Sequence, residues 1–142
     1  MPMKTVYSAI ATATGGRDGQ ASTPDGSLQL KLAVPKEMGG GGDGNNPEQL
    51  FAAGYAACFL GAMKFAASQN PDFPQVSKDS SVTATVGIGP REDKGFGLKV
   101  DLLVSIPGED LADVQALVDE ADQICPYSHA VRGNIEVGLS TR

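Results

Sequence analysis

Histidine and cysteine are scarce in this chain, with one histidine and two cysteines among 142 residues. His129 stands four residues after Cys125, a spacing that suggests a Cys/His nucleophile or a metal pair. Pro126 breaks the helical register between them and no third or fourth ligand is spaced nearby, so no metal is expected. Basic residues are outnumbered too: 11 Lys and Arg against 17 Asp and Glu give a formal charge of −6. That balance argues against nucleic acid or an anionic membrane as a partner. A long hydrophobic run is also missing. The apolar stretch from Leu50 to Met63 is interrupted by glycines and followed by Lys64, and it falls short of the roughly 20 residues that span a bilayer. The N-terminus, MPMKTVYSAIATATGG, alternates polar and apolar residues and lacks the h-region of a signal peptide. A cytoplasmic protein is therefore expected, where a stable structural disulfide is unusual. The two cysteines are then either inert core residues or transient redox partners.

What the chain does have is one dominant segment, NPEQLFAAGYAACFLGAMKFAASQ, from Asn46 to Gln69. Asn46 suits an N-cap, Pro47 the first helical position, and Glu48 the positive end of the helix dipole. Between Leu50 and Met63 the only polar groups are the Tyr55 hydroxyl and the Cys58 thiol. A helix apolar all round is expected to be buried on every side, which would place Cys58 in the core. The Tyr55 hydroxyl should find a partner there.

Around this helix the pattern is mostly β. Thr5 to Thr14 alternate and read as a strand, followed by a glycine-flanked turn with Arg17 at its tip. A second strand runs to about Ser22, and Pro24, Asp25 and Gly26 signal a turn. Leu28, Leu30 and Leu32 share a face of a third strand, giving a meander. Pro35 to Gly44, with five glycines between Gly39 and Gly44, reads as a flexible lid or linker. Its GGGGDG lacks the Lys-Ser/Thr of a phosphate loop, and Glu48 would repel an anion. Strands from Ser80 to Ile88 and Leu98 to Ile106 form a hairpin. Leu111, Val114, Leu117, Val118, Ala121 and Ile124 make an amphipathic helix that stops at Cys125, because Pro126 disfavours helix at the residue before it. Ile135, Val137 and Leu139 form a last strand. The chain thus reads as one α+β domain, residues 1–142, with mostly antiparallel sheet, a long buried central helix and a second, amphipathic one. Six short strands cannot cover an all-apolar helix, so a dimer whose helices meet in the middle is expected.

Burial alone leaves a thiol unreactive, so a nucleophilic Cys58 needs a cation. Lys64, six residues on, is rotated by about 240° and faces elsewhere. Arg17 is the first candidate and Arg132 the second. Nothing in the spacing brings Cys125 to Cys58. Were they to meet, oxidation of one thiolate to sulfenic acid and condensation with the other would give a disulfide. That order suits one deeply held thiol, expected at Cys58, and one at a mobile segment end, expected at Cys125.

Three stretches, ATGGRDG around Arg17, NPEQLFAAGYAACF around Glu48 and Cys58, and CPYSHAVRGN from Cys125, are similar to those of the organic hydroperoxide resistance (Ohr) family of the Ohr/OsmC superfamily. They spread from the first strand to the last. The resemblance implies an OsmC-like fold and an intertwined homodimer. It also implies a peroxidatic Cys58, a resolving Cys125, and an Arg17–Glu48 pair in the site. The activity it implies is reduction of alkyl and fatty-acid hydroperoxides, with no bound cofactor and with dihydrolipoamide or a lipoylated protein as electron donor. His129 replaces an asparagine common in the family, which should alter hydrogen bonding near Cys125.

These residue types fit that chemistry. Arg17 would stabilise the thiolate and the leaving alkoxide, and Glu48 would orient it. Leu50, Phe51, Phe59 and Met63 are candidate liners of a substrate pocket favouring an alkyl chain over hydrogen peroxide. Glu48 and Cys58, ten residues apart, stand about 15 Å apart along a continuous helix and about 280° around it. If both serve one site, Glu48 comes from the partner subunit. A lipid-binding module without turnover and a Cys/His hydrolase dependent on His129 are the rival readings.

Overall fold

In the computed structural model, which describes residues 2–142, the chain divides into two units, one ending at Pro47 and one running from Glu48 to Arg142. The first unit is a small meander of β1 (Thr12–Thr14), β2 (Gln20–Ser22) and β3 (Gln29–Lys31), all antiparallel neighbours. The strand expected from Thr5 is much shorter than its alternation suggests. β2 is only three residues long, so it offers hydrogen bonds to Thr12–Thr14 alone. Met3, Val6, Tyr7 and Ile10 consequently stay outside any sheet and exposed.

Arg17 lies in a single 3-10 turn, Gly16–Asp18, between β1 and β2. Gly15 and Gly16 have φ of 76° and 68°, a region costly for residues with a Cβ. A Cβ on Gly19 would strike the Thr14 carbonyl. The glycines therefore let the strand reverse tightly enough to present Arg17 at its tip. The glycine-rich segment after β3 is not the loose linker expected. It makes a 3-10 turn at Lys36–Met38 and folds back on itself through Gly40 N–H to Pro35 O (3.1 Å) and Gly42 N–H to Val34 O (3.0 Å). The chain then returns beside β3, with Asn45 N–H donating to Lys31 O and Ala33 N–H to Asn45 O.

The boundary falls at the start of α1 (Pro47–Gln69), whose first helical residue, Pro47, closes the first unit and whose remainder opens the second. The second unit continues through the antiparallel hairpin β4 (Ser81–Pro90) and β5 (Phe96–Ser105), α2 (Leu111–Ile124), α3 (Pro126–Val131) and β6 (Val137–Thr141). α3 was not expected. Pro126 does end α2, but the same fixed φ suits the first position of a new helix. β6 also departs from the antiparallel expectation, pairing in parallel with β5 from Val100↔Val137 to Val104↔Thr141. The cause is the helical connection between them, which carries the chain back so that the next strand starts in the same direction.

Val100, Leu102 and Val104 of β5 alternate into the core of this unit. They meet Tyr55, Phe59, Ala62, Met63 and Ala66 of α1 and Val114, Leu117, Val118 and Ala121 of α2. Leu111, counted on the apolar stripe from its spacing, is 54% exposed at the helix start. Within one chain the cover of α1 is partial. Only one stripe of it is buried, while Ala53, Ala57, Gly61 and Phe65 on another face are exposed. By length and composition α1 is also long and apolar enough to cross a membrane. It exceeds the Leu50–Met63 run because the helix continues past Lys64, and its buried stripe packs as a core helix packs.

Asp110 caps α2, its Oδ1 accepting from Ala112 N–H (2.9 Å) and Asp113 N–H (3.3 Å). Asp110→Ala should cost about 1 kcal/mol, read as a lowered urea midpoint with an unchanged slope.

Candidate active site

Cys58 and Cys125 meet in the second unit, with their sulfurs 3.5 Å apart and both thiols free. Two helices place them. α1 is fixed in rotation by its buried stripe, which leaves Cys58, next to Phe59, at the margin of the core. Cys125 is the residue between α2 and α3, with φ −61° and ψ 121°, and it closes one helix and opens the next. Its N–H donates to Ala121 O (2.8 Å), and its carbonyl accepts from His129 N–H (3.0 Å).

The exposure of the two thiols is opposite to expectation. Cys125 is fully buried and Cys58 is half-buried. The helix cysteine sits on the flank between the covered stripe and the open face. The cysteine at the helix junction is enclosed, because α2 and α3 both pack it inward. Cys58 is thus the thiol that a dissolved oxidant can reach.

Burial pushes the Cys58 thiol above its ordinary range. The backbone N–H of Tyr127 pulls the other way by donating to the sulfur, and the adjacent Cys125, which resists ionisation of a second thiol beside it, pushes it up again. Among the second-unit cations considered, Lys64 is exposed, and Arg132 is held by Asp122 through Nη2 to the carbonyl (2.7 Å) and to Oδ2 (3.3 Å). Arg17 is half-buried in the first unit, and Glu48 is half-buried in the first turn of α1. Because α1 is unbroken from Pro47 to Gln69, Glu48 and Cys58 remain about 15 Å apart along its axis.

The proposed pocket liners divide. Phe59 and Met63 have no exposed surface and belong to the core, since they share the stripe that faces β5 and α2. Leu50 is 36% exposed, and Phe51 is half-buried against aromatic neighbours. Phe51, Tyr55 and Tyr127 form a ring cluster with centroids 5.8–6.1 Å apart. Tyr127 lies over Gly54, where a Cβ would come within 2.9 Å of its hydroxyl. The Tyr55 hydroxyl has the partner expected of it, Ser128 Oγ at 2.7 Å. Burial pushes the Tyr55 pKa up and the Ser128 bond only partly offsets this, so Tyr55 remains a neutral hydroxyl. Ser128 and the Tyr127 amide escaped the sequence reading because both depend on α3. Pro126 as a helix-starting residue was the available signal. No group of three His, Cys, Asp or Glu that could hold a metal occurs among the described residues.

Residues 40–140 match the family model of OsmC-like proteins. The chain is 55% identical over 140 residues to the organic hydroperoxide resistance protein of Xanthomonas axonopodis pv. citri, covering 98% of this chain and 96% of that one. Among solved structures, an organic hydroperoxide resistance protein of Vibrio cholerae with captopril bound in one of its active sites superposes with a TM-score of 0.90 at 50% identity, covering 99% of this chain and 95% of that one. OhrB of Bacillus subtilis superposes with a TM-score of 0.86 at 39% identity, covering 97% and 100%.

Removing either hydroxyl of the Tyr55–Ser128 pair strands its buried partner. Tyr55→Phe and Ser128→Ala should each destabilise by about 1–3 kcal/mol, whereas the double variant, with both polar groups gone, should recover most of that loss. Chemical denaturation of the four proteins measures the cycle.

Proposed function

The chain belongs to the OsmC-like family and, within it, to the organic hydroperoxide resistance proteins, and on that premise we propose that it is a thiol-dependent peroxidase that reduces organic hydroperoxides to alcohols. The observation that carries the reading is the 3.5 Å approach of a reachable thiol to an enclosed one. Cys58 thiolate attacks the outer peroxide oxygen, the O–O bond breaks, and the alkoxide leaves to become the alcohol on taking a proton. Cys58 sulfenic acid remains. The Cys125 sulfur then attacks the Cys58 sulfur, and the S–O bond breaks. Hydroxide takes the Cys125 proton and leaves as water. A dihydrolipoyl group, free or on a lipoylated protein, returns the disulfide to two thiols and is itself oxidised to the cyclic disulfide.

The contacts of the second unit hold Cys58 as a thiol, so the first step needs a cation. We assign that role to Arg17, oriented by Glu48. The ten-residue separation of Glu48 from Cys58 on one helix supports a site shared between two copies. The exposed Ala53, Ala57, Gly61 and Phe65 face of α1 supports a homodimer. Leu50 and Phe51, with Tyr127 beside them, are the apolar residues left to favour an alkyl chain. The compartment assigned is the cytoplasm, where reduced lipoyl groups keep the cysteines reduced.

In a coupled assay with dihydrolipoamide, Cys58→Ser should abolish reduction of an alkyl hydroperoxide. Cys125→Ser should stop after one equivalent and leave a Cys58 sulfenic acid that dimedone traps. Ligand binding without any turnover in the unaltered protein would favour the lipid-binding alternative, and equal rates with hydrogen peroxide would remove the apolar-pocket argument.

Arg17→Ala should move iodoacetamide alkylation of Cys58 to higher pH, because the remaining contacts favour the protonated thiol. The rate at pH 7 falls and climbs again as pH rises through and beyond the ordinary thiol range of about 8.5. Mixing Arg17→Ala and Cys58→Ser subunits should restore activity if the site spans two copies. Continued inactivity in verified mixed dimers would place Arg17 and Cys58 of one chain in the same site.

A further inference from the structure

Ser128 is the one buried polar residue among those described, and its partner Tyr55 is fully buried as well. Their place relative to the thiols is regular. Tyr55 lies three residues before Cys58 on α1, and Ser128 lies three residues after Cys125 in α3. Tyr55 and Cys58 share a face of α1, and Ser128 stands in the first turn of α3 just after its N-cap residue, Cys125. The two elements therefore touch at two matched points, oxygen to oxygen at 2.7 Å and sulfur to sulfur at 3.5 Å. The Tyr127 amide, between the two, also reaches the Cys58 sulfur.

Resting on the peroxidase reading above, we propose that Tyr55 and Ser128 are positioning residues for the resolving step, holding α3 against α1 so that Cys125 meets the oxidised Cys58. The need for such a tie follows from the burial of Cys125. A fully enclosed thiol cannot search for its partner, so it must already stand in line with the S–O bond it will break. Apolar packing tolerates sliding between helices, because contact area changes little with small shifts. A hydrogen bond between two hydroxyls does not, since its strength falls steeply with distance and angle. At its other end α3 is tied by Arg132 to Asp122. The Tyr55–Ser128 bond fixes the end nearer the sulfurs.

The reaction it serves balances without further reagents. Cys125–SH and Cys58–SOH give the disulfide and water. If that step is slow, a second hydroperoxide oxidises the waiting sulfenic acid to sulfinic acid, which dihydrolipoyl groups do not reverse.

The test is single turnover of the reduced protein with one equivalent of an alkyl hydroperoxide. Hydroperoxide consumption is followed alongside disulfide formation by quenched mass spectrometry. The informative quantity is the ratio of the two rates, which a general loss of folded protein does not move. In Tyr55→Phe, Ser128→Ala and the double variant, this ratio should fall by about tenfold to a hundredfold, the order expected for a misplacement near 1 Å. Dimedone adduct at Cys58 should accumulate to match, and a second equivalent of hydroperoxide should convert the untrapped sulfenic acid to sulfinic acid. Ser128→Thr, which keeps the hydroxyl, should recover most of the ratio. The double variant matters most, because it keeps near-native stability without the bond. A wild-type ratio in that variant would overturn the positioning role and leave the peroxidase reading standing. Failure of the unaltered protein to form any sulfenic acid or disulfide would instead overturn the reading on which this role rests.

Discussion

The rotation of α1 about its own axis is the constraint from which the second unit follows. Tyr55, Phe59, Ala62, Met63 and Ala66 are buried along one side of it, and a large apolar side chain that is fully buried contributes about 1.5–3 kcal/mol. Slipping the helix by one residue would turn this stripe through about 100° and expose Tyr55, Phe59 and Met63 together. The neighbouring positions Gly54, Ala56, Cys58 and Gly61 are apolar but smaller, so a rotated helix would leave space against β5 and α2 unfilled. Cys58 has no choice of environment as a result. It is carried to the edge of the core, half covered, where it faces both the enclosed Cys125 and the outside.

Proximity and ionisation pull against each other in such a pair. Enclosing Cys125 and crowding Cys58 against it shortens the path to a disulfide, but the same burial disfavours the Cys58 thiolate on which the proposed first step depends. The Tyr127 amide offsets part of this. A single neutral donor cannot do what a guanidinium does, because it supplies a partial charge where a whole one is needed. On the peroxidase reading proposed above, the second unit is therefore well built for resolution and incomplete for attack. Its open, small-residue helix face matches that incompleteness. On the proposal that a second copy covers this face of α1, that copy would also be the means of bringing in a charge.

Much of this was legible in the residues. Asn46-Pro47-Glu48 marked the start of α1, the period-two leucines and valines marked the strands, and the helical spacing from Leu111 to Ile124 marked α2. What escaped depended on tertiary partners. The strand from Thr5 shortened because β2 was too brief to pair with it, and pattern cannot report the length of a partner. The direction of β6 was set by the helices before it. The exposure of the thiols was inverted because Cys58 was judged from its apolar neighbours in sequence. On a helix those neighbours point to all sides, and only the packing of the Tyr55–Phe59–Met63 stripe decides which side Cys58 takes. Phe59 and Met63 were misread as pocket liners for the same reason.

Pro126 shows how one residue can set the geometry of a pair of cysteines. It forbids helix at Cys125, so α2 must stop there, and it favours helix after itself, so α3 must start there. Cys125 is left extended between two helices that are both anchored, α2 by Val114, Leu117, Val118 and Ala121 and α3 by Ser128 and Val131. Its sulfur has little freedom. A disulfide requires the sulfurs to close from 3.5 Å to about 2.05 Å. The less enclosed of the two side chains, Cys58, has the room to make that adjustment by turning about its own Cα–Cβ bond. The fixed, enclosed Cys125 and the freer Cys58 invert the order of burial inferred from sequence. On the peroxidase reading it is also the sounder arrangement, since the thiol that would meet the substrate is the one with room to adapt.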